Sequence, residues 1–204
     1  MAKDGKHGGK LKWIILVVVI VIALIAIGGG GDDKPKKVNS DSGKEKAAET
    51  AKADDSEKKK DTFTLGDTAE YNGIQVSLSS AVLSNGDGEF VKPDDGKYFL
   101  GLTFEINNQS SKDINISSVV SFEAYCDDYS LNEDLVGLQA PQFKQLSQLD
   151  GSVAAGKKMS GVICYQVPQD FKTFEISCTP DFWGSNKVTF QLNRDQVDGS
   201  AVGQ

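Results

Sequence analysis

Between residues 62 and 192 the apolar residues fall at every second position or in short unbroken runs bounded by Gly, Asn, Asp and Pro. Nowhere do they hold the three-and-four spacing of an amphipathic helix. Ile74, Val76 and Leu78 alternate with Gln75, Ser77 and Ser79, which places one face of an extended strand in a core and the other in water. The pattern predicts seven strands, over residues 62–65, 74–83, 97–107, 114–126, 157–167, 173–178 and 187–192. Asn72-Gly73, Asn85-Gly86 and Asp95-Gly96 supply turns, because these residue types tolerate the positive φ that tight reversals need. Gly156 opens the fifth strand and Pro168 closes it. Seven strands with turns between them predict an all-β sandwich.

Upstream the pattern changes twice. Residues 32–61 are almost wholly charged, Ala, Ser, Thr and Gly, with Val38 the single large apolar residue, so the segment has nothing with which to build a core and is predicted to be a disordered, solvated tether. Before it, residues 13–27 are apolar without a charge, and Gly28 to Gly31 extend the uncharged stretch. At about 1.5 Å per residue the apolar run covers roughly 22 Å, and the glycines carry it toward about 28 Å, close to the ~30 Å hydrocarbon core. Residues 13–31 are therefore predicted to be a transmembrane signal-anchor. Trp13 stands at the boundary with the polar tail, where an amphipathic ring favours the headgroup layer. Lys3, Lys6, Lys10 and Lys12 against the single Asp4 keep residues 1–12 in the cytoplasm, so the C-terminal part is exported. The rival reading is a cleaved signal peptide, with Ala26-Ile27-Gly28 as a small-x-small site. The expected organisation is a basic tail over 1–12, the span over 13–31, the linker over 32–61, one sandwich over 62–193 and a flexible tail over 194–204.

Charge sharpens the functional range. From Thr62 onward the chain holds nine Lys or Arg against nineteen acids, a net charge of −10, which repels phosphate and argues against nucleic acid as a partner. The sole histidine, His7, lies in the cytoplasmic tail. The exported part thus has no residue for Ser-His-Asp or Cys-His nucleophilic schemes or for the common histidine-containing zinc sites. No catalytic residue and no cofactor are predicted.

Three features remain as candidate chemistry. Cys126 shares a strand face with Phe122 and Ala124, and Cys178 shares one with Phe174 and Ile176, whereas Cys164 alternates against Ile163, Tyr165 and Val167. Export permits a disulfide, and the face argument pairs Cys126 with Cys178 and turns Cys164 outward; the other reading leaves all three reduced. Asp87, Glu89, Asp94 and Asp95 lie in acidic turns that could offer hard oxygens to calcium, although position twelve counted from Asn85 is Gly96 and not the bidentate Glu of an EF-hand. The other reading of these turns is solubility alone. Phe182 and Trp183, in the turn Pro180-Asp-Phe-Trp-Gly184, are candidates for recognition or for packing over the end of the sandwich.

Three phrases carry a resemblance. They are Gly66-Asp67-Thr68 leading to Asn72-Gly73-Ile74-Gln75-Val76, the run from Gly96 through Tyr98-Phe99-Leu100-Gly101 to Asn107-Asn108, and the run from Gly156 through Gly161-Val162-Ile163-Cys164 to Pro168. Their order and spacing resemble the DUF4352 family of exported bacterial domains. The resemblance covers roughly 62–192 and implies an immunoglobulin-like β-sandwich similar to a secreted mycobacterial immunoprotective antigen, following a lipid-modified Cys or, as here, a transmembrane segment. It carries over no catalytic residues. The expected function is that of a membrane-anchored extracellular binding or envelope-associated module with an unknown surface or cell-wall partner. The alternatives are a structural or sensory single-pass protein acting through its span, and an exported hydrolase built on two carboxylates.

Overall fold

A computed structural model describes residues 36–38, 62–179 and 186–202. The predicted span at 13–31, most of the 32–61 linker and the aromatic turn with Phe182 and Trp183 lie outside the described residues. Among the described residues no helix is long and apolar enough to cross a membrane.

Twelve strands are described: β1 (Lys36–Val38), β2 (Thr62–Phe63), β3 (Thr68–Tyr71), β4 (Ile74–Ser84), β5 (Lys97–Asn108), β6 (Ile114–Ile116), β7 (Phe122–Cys126), β8 (Tyr129–Leu131), β9 (Gly151–Val153), β10 (Lys158–Pro168), β11 (Thr173–Cys178) and β12 (Val188–Asn193). One sheet has the order β1-β3-β4-β5-β10, the other β2-β12-β11-β7-β8, and β6 pairs with β9 in a small third sheet. The two large sheets enclose a core in which Phe104 is central. Its ring lies 5.2 Å from that of Phe122 and 5.7 Å from that of Phe190, so the two sheets meet through aromatic contacts.

Local sequence explains the main hairpins. Asn72 and Gly73 both take positive φ, 52° and 76°, in the two-residue turn between β3 and β4. Strand β4 buries Ile74, Val76 and Leu78, then Ala81 and Leu83, so its inward set changes from even to odd positions. A β-bulge absorbs the change: Leu78 pairs with Phe104 and Ser80 with Thr103, leaving Ser79 as the extra residue. Its hydroxyl donates to the Thr103 carbonyl at 3.1 Å. At the far end of β5, the buried Asn108 side chain donates to the carbonyls of Lys112 and Val153 at 2.8 and 2.9 Å and accepts from the Ser110 amide and hydroxyl at 3.1 and 2.7 Å. Its hydrogen-bonding capacity is fully used, which fixes the turn after β5.

Three expectations are corrected. The strand predicted over 114–126 is broken into β6, a one-turn helix α1 (Ser118–Ser121) and β7. The break lets the chain leave β9 and enter the second sheet. Within the predicted linker, Lys36–Val38 pairs antiparallel with β3 as an edge strand. The predicted flexible tail from 194 is tied down: the Asp198 amide donates to the Ala81 carbonyl at 2.9 Å, the Leu83 amide donates to the Asp198 carbonyl at 2.8 Å, and Val197 is buried.

Candidate functional site

The outer face of the first sheet divides into a covered and an open half. At the covered end, residues 132–149 between β8 and β9 form a strap across β5 and β10. Leu138, Ala140 and Phe143 of the strap bury against Phe99, Val162 and Cys164 in a second small core. Glycines make the close approach: a Cβ on Gly101 would stand 2.4 Å from the Phe143 ring, one on Gly137 2.5 Å from the Cys164 sulfur, and one on Gly161 2.6 Å from the Leu149 backbone. The strap also pairs with the outer edge of β10, with the Asp134 amide donating to the Cys164 carbonyl at 2.7 Å and the Val162 amide to the Ser147 carbonyl at 2.8 Å. Gln166 Nε2 donates to Asp134 Oδ2 at 2.6 Å and anchors the strap's beginning.

At the open end the face is polar. Gln75, Ser77, Glu105, Asn107, Lys158 and Ser160 line a shallow trough of about 570 Å³. The Gln75 carbonyl oxygen accepts from Asn107 Nδ2 at 2.9 Å, and Gln75 Nε2 donates to Glu70 at 3.4 Å, so the amides form a cross-strand row. A smaller depression of about 330 Å³ on the second sheet is lined by Tyr125, Asp127, Asp128, Thr173, Glu175 and Gln191.

One carboxylate pair stands at the base of the strap. Ser118, on α1 and almost fully buried, lies 3.0 Å through its hydroxyl from Glu133 Oε2 and 2.9 Å from Asp150 Oδ2, while Gln148 Nε2 donates to it at 3.2 Å. A hydroxyl has one proton and two lone pairs, so all three contacts are hydrogen bonds only when one of the two carboxyl groups is protonated. Burial first, and then the Asp150 charge, push the Glu133 carboxyl above its ordinary value, against the lowering effect of the Ser118 and Gln148 bonds. Through these contacts the buried Ser118 pins α1 to both ends of the strap.

The sequence-predicted residues are placed as follows. The Cys126–Cys178 bridge is not formed, and all three thiols are free and buried. Cys126 pairs with Phe174 and Cys178 with Phe122, so the two cysteines stand four positions apart along adjacent strands, about 13 Å, well beyond disulfide reach. Cys164 is buried, not outward, because the strap covers its face. Burial pushes the Cys126 thiol up to about 12 and those of Cys164 and Cys178 well above the ordinary value. The calcium candidates are not brought into a metal site: among the described residues no three His, Cys, Asp or Glu groups stand together as ligands. Asp87 Oδ1 instead accepts from the amides of Glu89, Phe90 and Val91 at 2.8 to 2.9 Å, which hold its carboxyl below the usual range, the Glu89 amide first. Asp94 pairs with Lys97 at 2.8 Å, and Glu89 and Asp95 are exposed loop residues. The strap itself had a signal in the sequence. Both phases of β10 are apolar, Val162 and Cys164 as well as Ile163 and Tyr165, which marks a strand covered on both faces.

No protein of curated function matches the chain. Among solved structures, the ycdA protein of Bacillus subtilis, a candidate lipoprotein, is similar with a TM-score of 0.51 and 17% identity over 63% of this chain, which spans only 38% of that one. A β-sandwich protein of Clostridium difficile matches over 70% of this chain and 100% of its own at 16% identity and a TM-score of 0.43. The secreted protein MPT63 of Mycobacterium tuberculosis matches over 65% and 95% at 15% identity and 0.41. The sequence profile described as "Domain of unknown function (DUF4352)" matches residues 63–188, which hold most of the strands of both large sheets, and the chain belongs to that family.

Proposed function

We propose that this chain is a membrane-anchored extracellular module of the bacterial envelope, acting by binding and not by catalysis, with the open trough of the first sheet as its recognition face. The observation that carries the reading is the division of that face. The strap seals one half with apolar side chains and leaves the other half as a preformed row of amides and hydroxyls flanked by Glu105 and Lys158. Such a row offers directional donors and acceptors without a reactive group, which is the chemistry of recognition. The strand order supports an immunoglobulin-like framework: β4, β5 and β10 occupy the places of strands A, B and E, and β12, β11 and β7 those of G, F and C. Anchoring through residues 13–31 and export of the domain rest on the apolar run and the basic tail. The similar ycdA protein, described as a candidate lipoprotein, points to the same side of the membrane.

The test is photo-crosslinking on intact cells from a probe at Ser160, in the trough, against a probe at Gln191 on the opposite sheet. A distinct adduct is expected from Ser160 alone, and the double charge reversal Glu105→Lys with Lys158→Glu is expected to lower its yield at least tenfold. Equal capture from both positions refutes the trough as the recognition face. A phenotype that survives deletion of the whole domain with the anchor retained favours the span-mediated role instead.

A further inference from the structure

The middle of the strap rests on the second small core, apart from the main one. Of the three thiols Cys164 alone lies there, while Cys126 and Cys178 belong to the main core. The strap's backbone sits directly on that sulfur, since a Cβ on Gly137 would meet it at 2.5 Å. Leu149, fully buried in the main core, holds the strap's far end. The start is tied to that end through one hydroxyl: Glu133 at the start and Asp150 just past the finish reach Ser118 Oγ at 3.0 and 2.9 Å, and Gln148 Nε2 donates to the same oxygen at 3.2 Å. A hydroxyl that already accepts from an amide satisfies two carboxyl groups only when one of them brings a proton. With both ionised, one carboxylate faces a lone pair and a like charge, and the contact turns repulsive. No cation relieves it: among the described residues the ion pairs are Lys37–Asp67, Lys97–Asp94 and Lys187–Glu123, all elsewhere. The remaining titratable groups around Glu133 are Asp134 beside it in sequence and Cys164 and Tyr165 on β10, none of them basic, and α1 and β9 contribute no ionisable side chain.

We propose that Glu133 and Asp150, bridged by Ser118, form a pH-sensitive clasp that holds the strap shut while the pair keeps one proton and lets the strap's start lift once both are ionised. Burial first, and then the Asp150 charge, hold the Glu133 carboxyl above its ordinary value against the Ser118 and Gln148 bonds. The closing contribution is therefore present at low pH and is lost as pH rises through that raised value. Lifting the start uncovers two outward steps of the sheet, Gly101 beside Cys164 and Thr103 beside Val162. The next two steps, Glu105 beside Ser160 and Asn107 beside Lys158, already line the trough. An open strap thus adds apolar ground to the end of the polar trough. The gating stands whether or not the trough is the recognition face.

The experiment labels the thiols of the full chain with 4,4′-dithiodipyridine, which reacts in acid as well as neutral solution, at about pH 4 and about pH 8, on either side of the carboxylate range. Peptide mass spectrometry assigns the label to each cysteine. The rate at Cys164 in the unaltered chain is divided by the rate in Glu133→Gln at the same pH, which cancels the pH dependence of the reagent and the thiol. The ratio is expected to lie near one at the lower pH and to reach roughly threefold or more at the higher. A purely electrostatic effect runs the other way: burial first, then the Asp134 and Glu133 charges, raise the Cys164 thiol, so removing one charge would by itself make the variant the faster to react. Asp150→Asn is expected to give the same ratios, and cooperative melting of each variant verifies its fold. A ratio that stays near one at both pH values, or falls below one, overturns the clasp. So does a Cys164 that takes no label at either pH. Labelling of Cys126 and Cys178 in step with Cys164 also overturns it, because it reports opening of the whole sandwich and not of the strap.

Discussion

At Gly101 and Glu133 single side chains decide how the strap sits. Gly101 faces Phe143 so closely that a methyl group there would stand 2.4 Å from the ring, and the ring is boxed in by Phe99, Val162 and Cys164. Gly101→Ala is expected to destabilise the fold by about 1–3 kcal/mol in urea titration, the usual cost of overpacking, and Phe143→Leu in the same chain to recover part of it. Glu133 acts through protons. Its folded carboxyl holds a proton more tightly than the unfolded one, so its contribution favours the fold at low pH and is lost as pH rises through the raised value. Glu133→Gln removes the charge beside Asp150 and is expected to raise Tm at pH 7 by on the order of 2 °C. The gain should vanish below about pH 4, where the native carboxyl is already protonated. Asp87 and Asp127 run the other way. Their carboxyls are held below the usual range by backbone amides, so their contributions are lost as pH falls, and comparing each variant with the unaltered chain across pH cancels them.

Among the elements, the strands with alternating patterns were legible and the short edge pieces were not. Strand β11 coincides with its predicted range, and β4, β5, β10 and β12 differ from theirs by single residues at the ends. Each has an inward apolar face long enough to set its phase. Strand β1 holds two lysines and one valine, and β8 and β9 have three residues each, so none carries a period to read. Their pairing is decided by the neighbour. The disulfide expectation failed for a related reason: alternation gives the face a cysteine points to, but not which residue stands opposite, and that register separates Cys126 from Cys178. The end of the chain was misjudged because Arg194, Asp195 and Gln196 are polar, while the decisive contacts are the buried Val197 and two backbone bonds from Asp198 to β4. Truncation after Asn193 is expected to cost about 2–4 kcal/mol, from the loss of one buried valine and those bonds, and to appear as a lower denaturation midpoint with a nearly unchanged slope.

Across the molecule, the candidate site was the least legible part. The trough is assembled from β4, β5 and β10, whose outward residues in the sequence are ordinary polar positions. Only the pairing brings Gln75 to Asn107 and both toward Lys158, and only the strap distinguishes this half of the face from the other. The same assembly settles the borders of the first sheet. Strand β1 lies along the outside of β3, Asp198 meets the end of β4, and residues 147–149 run beside β10. The outer side of β3, the end of β4 and part of β10, where a foreign chain could add a strand, are thus occupied by pieces of this chain. A neighbouring copy therefore finds these stretches of β3, β4 and β10 already paired, which hinders growth of a ladder from one molecule to the next.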